Sequence, residues 1–145
     1  MDRTMRGFIA GIVAGLALNI WSLPFYFLKL VNIHHIHWAG ILICHGLPRN
    51  TGESLVCFII QVLWDGILGV FFSYLFKNST SGDYIYKGLL YSFFLSFVFN
   101  SIVTLYRVPI LSDRYELIAF LLNEAGALIY GLILALTLRR LDQST

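Results

Sequence analysis

Gly7 to Leu28 reads GFIAGIVAGLALNIWSLPFYFL, 22 residues without a charge. The hydrocarbon core of a bilayer is about 30 Å thick, and about 20 apolar residues in a helix cross it. Three later stretches have the same character. Ser54 to Phe76 is apolar apart from Gln61 and Asp65, Gly88 to Tyr106 carries no charge, and Leu117 to Leu138 is apolar apart from Asn123 and Glu124. Lipid offers no partner for backbone N–H and C=O groups, so a spanning segment must satisfy them internally, as a helix does. Membrane strands would show segments of about 10 residues in strict alternation, and these runs do not alternate. The expectation is an all-α polytopic membrane protein with four transmembrane helices, about 7–28, 54–76, 88–106 and 117–138, in one membrane domain covering residues 1–145.

Composition supports this reading. Of 145 residues, 58% are hydrophobic and 12% charged, against about 25% charged in soluble domains; the mean hydropathy is +0.76. A water-facing surface built from these residues would expose too much apolar area. The net charge of +2 and the scatter of the basic residues give no nucleic-acid footprint. Cys44 and Cys57 form no CxxC pair, which argues against a zinc ribbon or a thioredoxin-type redox site.

The first span follows Arg3 and Arg6, as the apolar core of a signal peptide would. Its apolar run is longer than the usual 7–15 residues of such a core, and an uncleaved helix is expected. Four spans put the N-terminus, the second loop and the C-terminus on one side, with Arg3, Arg6, Lys77, Lys87, Arg139 and Arg140. The other side holds Lys29, Arg49, Arg107 and Arg114. Basic residues favour the cytoplasm, so the expected location is the cell membrane with both termini cytoplasmic.

The loop from Lys29 to Glu53 holds all four histidines and the apolar stretch from Trp38 to Cys44. That stretch is too short to span and suggests a short interfacial helix. Asn50, with Glu53 three residues later, suggests a capping box opening the second span. His34, His35, His37 and His45, near Cys44, are metal candidates: His34 and His37 could share a helical turn, and imidazole suits zinc, copper or nickel. An interfacial belt beside Trp38 or a pH-sensitive loop explains them as well. No cofactor is expected.

Gly7, Gly11 and Gly15 line one face of the first helix, and Ala127, Gly131 and Ala135 repeat the small-residue spacing on the fourth. Small residues at spacing four let backbones approach closely, the basis of GxxxG packing. Such faces serve either an oligomer interface or packing inside one bundle. Counting depth at 1.5 Å per residue, Asn19, Asp65, Asn100 and Glu124 all fall about 20 Å from the terminal side. Intramembrane acids face the bundle interior and are site candidates. This polar layer is either interhelical hydrogen-bonded glue or a site for an ion, proton or small ligand. Arg6-Gly7 with Asn19 and Lys87-Gly88 with Asn100 share one spacing, which suggests two tandem hairpins related by an axis along the membrane normal.

Several enzyme classes lack their residues here. A haem-binding four-helix bundle needs histidines deep in its helices, a four-helix thiol oxidase needs CxxC, and an intramembrane serine protease needs a histidine within a span. Small four-helix multidrug exporters carry a carboxylate in the first span, where this chain has Asn19.

Gly11 to Gly15 with Asn19-Ile-Trp21, His37-Trp38-Ala39, Gly46-Leu-Pro48, Arg107-Val-Pro109, Tyr130-Gly131 and Leu138-Arg-Arg-Leu-Asp142 together resemble small four-helix membrane proteins of spore-forming Gram-positive bacteria. The resemblance runs over nearly the whole chain. It implies an integral membrane protein and supplies no activity, ligand or catalytic residue. The expected function is a non-catalytic binding or accessory module in the lipid bilayer, associating with itself or with another membrane protein. The alternative is a small ion- or proton-coupled transporter or channel subunit using the Asn/carboxylate layer.

Overall fold

The computed structural model describes residues 1–30, 35–44, 46–77, 83–107 and 117–143, with only the backbone of residues 35, 36, 42 and 44. The described chain is all-helical: α1 (Arg3–Phe27), α2 (His35–Cys44), α3 (Thr51–Leu75), α4 (Tyr84–Leu105) and α5 (Leu117–Gln143). The four long helices are long and apolar enough to cross a membrane. The short helix expected in the first loop is α2.

The long helices outrun the apolar stretches because polar residues finish their ends. Asp2 caps α1, its side chain accepting from the Arg3 amide. Asn50 caps α3, its Oδ1 accepting from the Glu53 amide at 2.8 Å. The capping box differs from expectation in one respect. The Glu53 carboxylate reaches back to the Arg49 amide at 2.7 Å and to the Asn50 side chain at 3.2 Å. At the far end, α5 continues past the bilayer-length run through Arg139, Arg140 and Asp142.

Packing is decided by where side chains are small. A Cβ at Gly7 would stand 2.7 Å from Ser73 Oγ and 2.8 Å from the Gly69 carbonyl oxygen, and one at Gly69 would stand 2.7 Å from the Gly11 Cα. Gly15 lies against the Asp65 side chain. The Gly7, Gly11 and Gly15 face is therefore covered by α3 within the chain. The second hairpin repeats the arrangement. A Cβ at Gly88 would meet the Gly131 carbonyl and stand 2.7 Å from the Ala135 Cβ, and one at Gly131 would meet the Gly88 carbonyl and Ser92. Partner offsets are the same in both: Gly69 and Ser73 face Gly7, and Gly131 and Ala135 face Gly88.

Helices α1 and α5 join the hairpins, and α2 lies on α3. The joint is filled by Ala10, Ala14 and Leu18 of α1 with Tyr130, Leu134 and Leu138 of α5. A two-fold relation between the hairpins would pack α3 on α4 as α1 packs on α5. Instead α3 and α4 touch mainly near one end, where the Phe72 and Tyr91 rings are 5.2 Å apart and Tyr91 Oη donates to the Leu68 carbonyl at 2.8 Å. Beyond that point they part.

That closed end gathers four helix ends. Arg3 Nε donates to the Ser73 carbonyl at 2.6 Å. Arg6 pairs with Asp142 at 2.9 Å, and Tyr84 Oη donates to the other Asp142 oxygen at 2.9 Å. The start of α1 and the end of α5 thus lie at one face of the bundle.

Candidate functional site

Where α3 and α4 part, they leave a cavity of about 330 Å³, at the lower end of the range for small-molecule pockets. Its walls come from all five helices. From α3 come Ile60, Gln61, Trp64, Asp65 and Leu68, and from α4 Ser92, Leu95, Ser96, Phe99 and Asn100. Helix α5 contributes Asn123, Ala127 and Tyr130, α1 contributes Leu18, and α2 contributes Trp38, Ala39 and Ile43. Trp38 meets Phe99 edge to face at 6.2 Å between ring centres, so α2 bridges the gap at the open end.

The wall is mostly apolar and aromatic, with a few polar groups. Their positions follow from helical periodicity: Gln61, Trp64, Asp65 and Leu68 recur at the three- and four-residue spacing of one helix face, as do Ser92, Ser96 and Asn100 on α4. Asp65 is 6% exposed. Its Oδ2 is buried with no hydrogen-bond partner among the described residues. Tyr130 lies close behind it, but its hydroxyl donates to the Asp65 backbone carbonyl at 3.0 Å, not to the carboxyl.

The other acid is held differently. Glu124 Oε1 accepts from Ser96 Oγ at 2.7 Å and from Asn100 Nδ2 at 3.0 Å, while Oε2 is buried without a partner among the described residues. Asn100 therefore joins Glu124 to the cavity wall. Asn19 is buried but not on that wall: its Nδ2 donates back to the Gly15 carbonyl at 2.8 Å, and its Oδ1 has no partner among the described residues. The four polar residues expected as one layer thus divide in three: an Asn100–Glu124 pair, Asp65 on the cavity, and Asn19 bonded within its own helix.

Gln61, Trp64, Asn123 and Tyr130 were absent from the expected site. The signal for Gln61 and Asn123 was their interruption of apolar runs. Trp64 and Tyr130 gave no polarity signal and become legible only once α3, α4 and α5 are placed.

Of the metal candidates, His34 and His45 lie outside the described residues, and only the backbone of His35 is described. His37 sits on α2 with its ring 5.5 Å from that of Tyr26. Burial pushes its imidazole below the ordinary histidine range, because desolvation disfavours the charged ring. Among the described residues, no group of three or more His, Cys, Asp or Glu side chains could hold a metal ion.

No family model, no curated protein and no solved structure matches the chain.

Proposed function

We propose that this protein is a non-catalytic binding or accessory module of the cell membrane, which takes a small lipophilic ligand between α3 and α4. One observation carries the reading: a cavity of about 330 Å³ opens where the bundle would otherwise close, and the buried acid Asp65 lies on its wall. Four membrane helices need no such opening to hold together, and packed helix interfaces tend to fill with small residues and close contact. The polar groups on the wall would orient a ligand, while its apolar remainder supplies the contact area.

The test is to fill the space. Ala127 lies on the cavity wall, and Ala127→Phe should reduce saturable binding of a neutral lipophilic dye such as Nile red by at least about tenfold in nanodiscs. Equal binding by the variant, with its helical content retained, would remove the cavity as the site.

The second reading is a proton- or ion-coupled transporter or channel subunit that uses Asn19, Asp65, Asn100 and Glu124. It is favoured by two carboxyls on different helices, each with a buried oxygen that has no partner among the described residues. Ion or proton flux in proteoliposomes left unchanged by Asp65→Asn with Glu124→Gln would end it.

We place both termini in the cytoplasm, because the end where they meet carries six of the ten basic residues and basic residues collect there. A bacterial cell membrane is the setting that the resemblance implies. Association with another copy or with a different membrane protein belongs to the same proposal. It would use a face other than Gly7, Gly11 and Gly15, and crosslinking in native membranes that recovered only monomer would argue against it.

A further inference from the structure

We propose that the cavity between α3 and α4 selects a lipophilic cation, with Asp65 as its counter-charge. The inference rests on the binding role proposed above and names the chemical class of the ligand.

Three observations converge. First, Asp65 is buried and lies on the cavity wall, and its Oδ2, packed on Gly15 of α1, has no hydrogen-bond partner among the described residues, so nothing described there balances a charge on this carboxyl. The Tyr130 hydroxyl is spent on the backbone carbonyl of Asp65 at 3.0 Å. A buried polar group left unmade is costly, and an ionised one far more so. A cation in the adjoining cavity offsets that cost through the low dielectric, without a direct bond to Oδ2.

Second, the charge balance of the wall is one-sided. Among the described residues lining the cavity there is no Lys, Arg or His. Within the described spans, the basic residues stand at the helix ends, where Arg3 and Arg6 bond to Ser73 and Asp142. An anionic head would meet Asp65 with no basic side chain among the described wall residues to offset the repulsion. A cation meets an uncompensated acid, in a low dielectric where opposite charges attract strongly.

Third, the apolar part of the wall is aromatic at the right places. Trp38, Trp64 and Phe99 border the space from three different helices. Aromatic faces attract cations through the ring quadrupole, most strongly for Trp and when water is excluded. A hydrated inorganic ion gains little from such a wall. An organic cation with an apolar body gains from both the acid and the rings.

The test uses the full chain in nanodiscs of neutral phosphatidylcholine, with empty nanodiscs as the blank. Tetraphenylphosphonium is the cationic probe, and triphenylphosphine oxide is a neutral probe with similar aryl surface. Binding is read by tryptophan fluorescence and by equilibrium dialysis. Expected for the natural sequence is saturable binding of the cation at least about tenfold tighter than that of the neutral probe. Asp65→Asn should abolish that preference, and Asp65→Glu should restore most of it. Equal affinity for the two probes in the natural sequence overturns the cation assignment while leaving a binding cavity in place. Undiminished cation preference in Asp65→Asn overturns Asp65 as the counter-charge. Saturable binding of neither probe overturns the cation assignment and counts against the binding role on which it rests. Should Asp65→Asn fail to fold, the cation-to-neutral ratio of the natural sequence still decides the class.

Discussion

Single residues at the ends of this bundle carry costs that a substitution can reveal. Lys29 ends α1 at φ 57°, the left-handed region, with the Lys29 and Leu30 amides closing the last turn onto the Tyr26 and Phe25 carbonyls. Glycine is the residue that adopts this conformation without a Cβ penalty. Lys29→Gly should therefore stabilise the folded state by about 0.5–1 kcal/mol, seen as a higher thermal midpoint in lipid-like micelles; a lower midpoint would mean that the lysine side chain holds α1 in place. Asp142 behaves oppositely, since it accepts from both Arg6 and Tyr84. Asp142→Asn should cost about 1 kcal/mol or less, the usual return of a partly exposed pair. His37 gives a pH dependence with a definite sign. Its buried ring favours the neutral form, so the unfolded chain binds more protons in mild acid, and stability rises with pH there. The contribution of α2 docking is present at neutral pH and is lost as the pH falls through the ordinary histidine range. Amide exchange in α2, corrected for intrinsic rates, should show less protection at about pH 5 than at about pH 7.5; equal protection would mean that His37 charges without cost.

Between helices, the decisive contacts are backbone to backbone. A side chain at Gly131 would meet the Gly88 carbonyl and Ser92 Oγ, and the carbonyl, being backbone, cannot give way without moving α4. Gly131→Val should cost about 2–3 kcal/mol of stability in a denaturation series. Gly46, with nothing among the described residues within 4 Å of an added Cβ and no positive φ, should accept alanine within about 0.5 kcal/mol; similar costs at both positions would contradict close packing in the second hairpin. The spans were legible from the chain because length and hydropathy answer a single constraint, the thickness of the bilayer. The cap at Asn50 was legible because capping is local in sequence. The glycine spacing showed which faces could approach closely and not what they would meet. Whether Gly7, Gly11 and Gly15 meet α3 or another copy depends on helix order, and the answer is the chain's own Gly69, Ser73 and Asp65.

At the scale of the molecule, the pattern is two hairpins with one joint closed and the other open. Helix α1 closes on α5, while α3 and α4 touch near Phe72 and Tyr91 and then part around the cavity. The candidate site was only half legible for this reason. Asp65 and Asn100 stand out in any apolar run, but depth counting treats every helix as equally near every other. It grouped Asn19 with them, although that side chain bonds within α1, and it missed Trp64 and Tyr130, whose role depends on which helices flank the gap. Both termini meet at one face, so reporters fused to either end should reside on the same side of the membrane, read by protease protection in vesicles; opposite sides would contradict the bundle. The most direct test is a structure determined in a lipid nanodisc with tetraphenylphosphonium bound. The account predicts α3 and α4 parted, with the cation between Asp65 and the rings of Trp38, Trp64 and Phe99. Helix α3 packed against α4 along its whole length, with Asp65 enclosed by side chains and no room for a ligand, would contradict it.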